Sequence, residues 1–228
     1  IQKSAEEVAA RVVAHRRTLH QIPEVGLELP QTADYVRKVL TELGYRPENI
    51  GISGVVATLG QGERTLLLRA DMDALQVEEC NTLPFRSTNG NMHACGHDMH
   101  TAILLGAAEV LKRHEQELGC RMKLVFQPAE ENGGGGREMI KAGLMDEIPD
   151  ACFALHVENG VPGKIVVGSR YLTAYSDSYK ITVHGKAAHS STPEEGVDAV
   201  YIAASIVTAL HGIISRNLSP MDLSLIHI

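Results

Sequence analysis

The sequence predicts an α/β protein in which helices cover a central sheet, followed by the start of a smaller α+β domain. Short apolar strands alternate with helices through the first part of the chain, which is typical of a layered α/β/α architecture. From about Thr173 the pattern changes to a half-exposed strand, a turn-rich stretch and one long helix. With 44% apolar residues in 228, the chain has enough material for a core. We expect one domain over 1–172 and part of a second over 173–222.

Two helices are predicted before the first strand. Ser4 and Glu7 have the spacing of a capping box, and apolar residues follow at helical intervals until the chain reaches Pro23. A second amphipathic helix is expected over 31–43, where Gly44 provides the C-terminal stop.

The remaining elements are predicted from apolar runs bounded by turn residues. Near-continuous apolar strands indicate a sheet that is covered on both faces. The predicted strands are Val55–Leu59, Thr65–Ala70, Met122–Gln127, Ala151–Val157 and Tyr179–His184, and the predicted helices are Met99–His114, Arg137–Ala142 and Val197–Ile214.

Charge and cysteine content exclude several classes of function. The net charge of −7 and the pI near 5.9 argue against a nucleic-acid or membrane partner. No apolar run approaches the roughly 18 residues that a membrane-spanning helix needs. The four cysteines form no CxxC pair, which argues against a disulfide framework. We therefore expect a cytoplasmic protein.

Both chain ends have features of an incomplete sequence. The first residue is Ile1 rather than Met, and the six residues 223–228 follow Asp222 abruptly. Their sequence, LSLIHI, matches a translated transposon end, so we expect a non-native tail after a C-terminal truncation. We exclude His227 as a ligand on this ground.

Ionisable residues are concentrated where predicted strands end or a helix begins. In open α/β sheets, the crevice beyond the carboxyl ends of the strands is the usual place of a site. Each residue taken alone is better explained by an ordinary structural role, but four such clusters together favour a metal site. The clusters are Asp71 with Asp73; His93, Cys95, His97, Asp98 and His100; Glu130 with Glu131; and His156.

The types of side chain in these clusters indicate a transition metal. Cys95, His97, Glu131 and His156 provide a thiolate, two imidazoles and a carboxylate. This set suits Zn²⁺, Mn²⁺, Co²⁺ or Ni²⁺ and suits Mg²⁺ or Ca²⁺ poorly. In the Glu130–Glu131 pair, one carboxylate can bind metal while the other remains free as a general base. Three aspartates are suited to orient the imidazoles by hydrogen bonds: Asp71, Asp73 and Asp98.

Several motifs closely resemble one family of metallo-amidohydrolases. They are RRTLHQIPEVG, RADMDAL, HACGHDMHTA, FQPAEENGGG, ALHV and HGKAAHSSTP, in this order. The family includes hippurate hydrolases, N-acyl-amino-acid deacylases and indole-acetyl-amino-acid hydrolases, within the zinc carboxypeptidase-like superfamily. The resemblance implies a metallopeptidase-like catalytic domain with a mixed sheet, followed by a ferredoxin-like lid and dimerisation domain.

The resemblance also implies residue roles. Cys95 would bridge or bind two divalent metal ions, with His97, Glu131 and His156 as further ligands. Glu130 would be the general base that takes a proton from a metal-bridging water and passes it to the leaving amine. His189 would reach across a homodimer and stabilise the tetrahedral oxyanion. The expected reaction is hydrolysis of the amide bond of N-acyl amino acids.

Two alternatives to this function remain open. A metallo-dipeptidase or carboxypeptidase would use the same centre, although a cysteine at position 95 argues mildly against it. An inactive metal-binding fragment is the other alternative, because the resemblance implies one more histidine ligand near the end of the family's chain. We expect that part to lie beyond this chain, which would leave the truncated chain without activity.

Overall fold

The computed structural model of the protein describes residues 1–131, 133–167 and 179–217. Contacts divide the chain into two compact units, Ile1–Asn159 and Gly160–Ile228. The domain boundary predicted at residue 173 and the predicted tail over 223–228 lie outside the described residues. Both therefore remain predictions.

The first unit contains four helices and five strands among its described residues, close to the predicted positions. One short strand, β1, was not predicted, because three residues carry too little pattern to be recognised. The elements are α1 (Gln2–His20), α2 (Pro30–Glu42), β1 (Glu48–Ile50), β2 (Gly54–Leu59), β3 (Thr65–Asp71), α3 (His97–Arg113), β4 (Arg121–Gln127), α4 (Gly135–Lys141) and β5 (Ala151–Ala154).

The five strands form one mixed sheet in the order β1-β2-β4-β3-β5. β3 pairs in parallel with β4 on one side and with β5 on the other. β2 pairs antiparallel with both β1 and β4. The predicted α/β class with a mixed sheet is therefore confirmed. Because β3, β4 and β5 are parallel, their carboxyl ends meet at one edge of the sheet.

Helices pack on both faces of the sheet. On one face, α2 and α3 enclose the larger core, where Leu40, Leu105 and Phe126 are almost completely buried. On the other face, Met139 of α4 packs with Leu67 in a smaller core. α1 packs on the outside of α3. These layers hold β3 and β4, and hence their carboxyl ends, in a fixed position.

Local features of the first unit differ from the predictions in two places. The capping box does not form, because α1 begins one turn earlier at Gln2 and the hydroxyl of Ser4 instead lies 2.9 Å from His114 Nε2. The strand predicted over Ala151–Val157 ends at Ala154, and its residues are exposed rather than covered. β5 is one of the two edge strands of the sheet.

The second unit has one long helix among its described residues, α5 (Ala199–Asn217). The side chain of Asp198 accepts the backbone N–H groups of Val200 and Tyr201 at 2.9 and 3.0 Å, which caps the start of this helix. The strand predicted over Tyr179–His184 is absent, and the nearest pairing is a single bridge between Lys186 and Val197.

No helix in the described part of the chain is long and apolar enough to cross a membrane.

Candidate metal centre

The carboxyl ends of the parallel strands bring the predicted site residues of the first unit together. β3 ends at Asp71, the turn after β4 carries Glu130 and Glu131, and His156 follows β5. His97 is the first residue of α3. Four segments that are distant in sequence thus converge at one edge of the sheet, as predicted.

His97 lies at the centre of this convergence and its side chain is completely buried. Its Nε2 atom is 3.8 Å from oxygens of both Asp71 and Glu131 and 4.0 Å from Glu130 Oε2. Neither ring nitrogen makes a hydrogen bond, and the buried Oε1 atom of Glu131 has no partner either. Buried polar atoms without partners are rare and costly. A cation between His97 Nε2 and the carboxylates would give a partner to Nε2 and to Glu131 Oε1.

Cys95 and His156 form the second part of the centre. The Sγ atom of Cys95 lies 3.4 Å from His156 Nε2. His156 Nδ1 is 2.6 Å from the carbonyl oxygen of Val157, which can only accept, so Nδ1 carries the proton. The lone pair of Nε2 is therefore directed to the same place as the cysteine sulfur, and both are available as ligands.

Gly96 allows the segments that carry Cys95 and His156 to approach each other. It adopts φ +91°, a left-handed conformation that glycine reaches without strain. A Cβ atom at this position would lie 2.5 Å from a methyl carbon of Val157, the residue after His156. The connection between Cys95 and His97 therefore requires glycine.

The electrostatic environment of Cys95 is strongly negative. Burial and the nearby charges of Glu131 and Glu130 raise the pKa of its thiol to about 12. Carboxylates also attract divalent ions, and an ion bound beside Cys95 would reverse their effect on the thiol. A thiol, free imidazole nitrogens and carboxylates in one place fit a divalent transition ion.

Asp71 orients the imidazole of His100, which is not one of the predicted metal ligands. His100 Nδ1 donates to Asp71 at 2.5 Å, while His100 Nε2 accepts the backbone N–H of Val157 at 2.9 Å. Burial acts to raise the pKa of Asp71, but the His100 hydrogen bond and the Arg69 guanidinium outweigh it and lower the pKa to about 2. Both nitrogens of His100 are thus occupied, which leaves no lone pair for a metal.

Asp73 holds the turn that carries the two glutamates. Its carboxylate accepts the backbone N–H groups of Glu130 and Glu131 at 2.9 and 3.2 Å, and it lies 3.4 Å from His97 Nδ1. The preceding residue, Ala129, has φ 50°, a left-handed conformation that costs a non-glycine residue about 1 kcal/mol. The hydrogen bonds to Asp73 stabilise this strained turn.

We expect Asp73→Asn to weaken the turn. The amide nitrogen of asparagine cannot accept a hydrogen bond, so one of the two backbone N–H groups loses its acceptor. The unfolding free energy, measured by urea denaturation, should fall by about 2 kcal/mol. Asp34→Asn is the matched control, because the Asp34 side chain is 73% exposed. Equal stability of the two variants would contradict this role.

Asp98 differs from the prediction in its choice of partner. It accepts a hydrogen bond from His20 Nδ1 at 2.8 Å and lies 2.9 Å from the Arg16 guanidinium, rather than orienting a candidate ligand. No chemical role was predicted for His20 from the sequence. Its signal was the helical spacing of Arg16 and His20, which places both on the same face of α1.

His189 belongs to the second unit, in a turn before α5. The backbone N–H of Ser191 donates to His189 Nδ1 at 3.2 Å, and the Ser191 hydroxyl lies 2.7 Å from the same atom. Because Nδ1 accepts, the ring proton resides on Nε2. His189 therefore presents an N–H donor to solvent.

Comparison with known proteins places the chain in a family. Residues 67–220 match the family described as Peptidase family M20/M25/M40. The chain belongs to this family. The matched range includes the strand ends and the α3 N-terminus that form the candidate metal centre.

Relatives in family M20 include enzymes that act on N-acyl amino acids. The chain is 41% identical to the hippurate hydrolase of Campylobacter jejuni over 219 residues, which is 93% of this chain and 57% of that protein. It is 40% identical to the N-acetyl-L-cysteine deacetylase of Bacillus subtilis over 217 residues, 93% of this chain and 52% of that protein. The chain thus spans about half the length of these relatives.

A solved structure from the M20 family is similar to the chain, with a TM-score of 0.64 and 35% sequence identity. The match covers 67% of our chain and 44% of the solved one. It is the Bacillus subtilis YXEP protein, described as a dinuclear metal-binding peptidase.

Among the described residues of this M20 chain, three groups have ligand atoms close enough to share an ion, and His97 is common to all of them. They are Cys95, His97 and His156; His97, Glu130 and Glu131; and Asp71, His97 and His100.

Proposed function

We propose that the protein is a metal-dependent hydrolase that cleaves the amide bond of N-acyl amino acids. Cys95, His97, Glu131 and His156 would hold two divalent transition ions, Zn²⁺, Mn²⁺, Co²⁺ or Ni²⁺. When bound, such an ion polarises the amide carbonyl and lowers the pKa of water. The occupied nitrogens of His100 support leaving it out of this ligand set.

The different exposure of the two glutamates is the observation that carries the division of their roles. The Glu130 side chain is 44% exposed, whereas that of Glu131 is 22% exposed with Oε1 buried near His97. Glu131 is thus directed inward as a ligand. Glu130 faces the open side, where its carboxylate takes a proton from the attacking water and delivers it to the leaving amine nitrogen.

His189 would stabilise the negative charge that develops on the carbonyl oxygen. The acceptor role of Nδ1 supports this, because it leaves the Nε2–H group free to donate. In the proposed homodimer, assembled through the region 173–222, this donor comes from the partner subunit. A cytoplasmic location belongs to the same proposal and is supported by composition alone.

The proposal is tested with the full-length gene product and a panel of benzoyl-, acetyl- and indole-acetyl-amino acids. We expect release of free amino acid in the presence of added Mn²⁺ or Zn²⁺. A chelator should abolish the release and re-addition of metal should restore it. The relative rates across the panel would identify the acyl group.

Two other results would redirect the assignment. Hydrolysis of dipeptides in preference to acyl-amino acids would make the protein a peptidase, as the family description allows. Stoichiometric metal binding by a folded protein without turnover of any of these substrates would identify a non-catalytic metal-binding protein.

A further inference from the structure

A buried ionic cluster lies next to the candidate metal centre and takes no part in the proposed chemistry. His20, the last residue of α1, is 2% exposed. Its Nδ1 atom is 2.8 Å from Asp98 Oδ2 and its Nε2 atom is 3.0 Å from Glu79 Oε1. The Arg16 guanidinium, 2.9 Å from the same Asp98 oxygen, completes the cluster.

The geometry defines the charge of this cluster. An ionised carboxylate only accepts hydrogen bonds, so both ring nitrogens of His20 must donate and the ring is an imidazolium. The hydrogen bond that His20 donates to Asp98 raises the pKa of His20 in agreement with this, against the opposing effect of burial. Two buried carboxylates are thus balanced by two cations, and removing His20 would leave both carboxylates short of a donor.

The cluster connects the segments on either side of Cys95. Asp98 is in the first turn of α3, directly after His97. Glu79 is in the irregular stretch between β3 and α3, where its second oxygen accepts the backbone N–H of Ser87 at 2.6 Å. The far end of that stretch is anchored by the bridge between Leu75 and Met92. Cys95 therefore lies on a short connection whose two ends are fixed by Met92 and by the His20–Asp98 pair.

We propose that His20 is a positioning residue for the metal centre: it fixes the start of α3 and the 76–92 stretch to α1, and so sets where Cys95 and His97 present their ligand atoms. This inference rests on the proposed function, since it concerns the same centre. His20 is too deeply buried to reach a substrate. Its effect would be on metal binding and geometry rather than on a chemical step.

The test compares His20→Gln with wild type in the full-length gene product, using Co²⁺ as the probe. Glutamine offers donors to one carboxylate only and carries no charge. We expect Co²⁺ affinity to fall about 10- to 100-fold, as for other residues that orient ligands. The thiolate-to-cobalt absorption band should shift or weaken, and kcat should decrease with little change in KM.

His15→Gln is the matched control. His15 is on the same helix and lies 2.8 Å from the Tyr35 hydroxyl through Nδ1, so a loss of general helix packing would affect it as well. We expect its Co²⁺ affinity and spectrum to equal those of wild type. A His20→Gln protein with wild-type Co²⁺ affinity and spectrum would overturn the inference, even if its melting temperature were lower.

Further outcomes separate this inference from the proposed function. If wild type binds Co²⁺ without a thiolate band, the proposed centre is wrong and the positioning role is overturned with it. If His20→Gln fails to fold, the double variant His20→Gln/Glu79→Gln is compared with wild type instead. This double variant removes the carboxylate that the single variant leaves unpaired. Weakened Co²⁺ binding by that folded variant supports the inference, and wild-type binding overturns it.

Discussion

Replacing Glu130 with glutamine is expected to lower kcat for amide hydrolysis by about 10²- to 10⁴-fold, the usual contribution of a general base. Glutamine preserves the size of the side chain but cannot take up a proton. Because the Glu130 side chain is 44% exposed on the open side of the centre, the substitution should leave the fold intact. The measurement is kcat on the best acyl-amino acid of the panel, with bound metal determined on the same sample.

Comparison with Glu131→Gln makes this prediction specific. Glu131 Oε1 is buried and lies 3.8 Å from His97 Nε2, so its substitution should reduce metal binding first and activity as a consequence. Glu63→Gln is the matched control, since Glu63 is exposed in the turn between β2 and β3. Full activity of Glu130→Gln, or loss of its metal, would contradict the assignment of the two roles.

The convergence of the candidate site was predictable because it depends on chain direction and on local pattern. Apolar runs located β3, β4 and β5 closely enough to place Asp71, Glu130 and His156 at strand ends. Parallel neighbours in a sheet then bring these ends to one edge. No exact contact was needed for that prediction, only the order and direction of the strands.

The hydrogen-bond partners inside the site were not predictable in the same way. Any of several histidines could pair with Asp71 or with Asp98, and pairwise chemistry does not distinguish among them. The contact between His100 and Asp71 depends on how α3 packs on β3, and the contact between His20 and Asp98 depends on how α1 packs on α3. The prediction of a half-exposed strand over Tyr179–His184 was wrong for a related reason. A strand with this pattern must pair with a neighbouring strand, and the described part of the second unit contains none.

Four glycines, Gly133–Gly136, follow soon after the two glutamates, and the backbone leaves least space for a side chain at Gly135. A Cβ atom added to Gly135 would lie 1.6 Å from the carbonyl oxygen of Pro128 and 2.6 Å from its carbon. Backbone atoms cannot rotate away as a side chain does, so the strand end at Pro128 would have to move. The displaced segment leads directly into Glu130 and Glu131, which connects this close approach to the metal centre.

We therefore expect Gly135→Ala to be among the most damaging single substitutions in the chain. The unfolding free energy should fall by about 3 kcal/mol, as for severe overpacking, which corresponds to roughly 10 °C in melting temperature for a chain of this size. Gly136→Ala is the adjacent control: its nearest contact would be Gln127 Oε1, a side-chain atom, at 3.4 Å. Alanine is also the better helix former within α4. Thermal unfolding followed by circular dichroism separates the two variants, and equal melting temperatures would show that the Pro128 carbonyl does not constrain this turn.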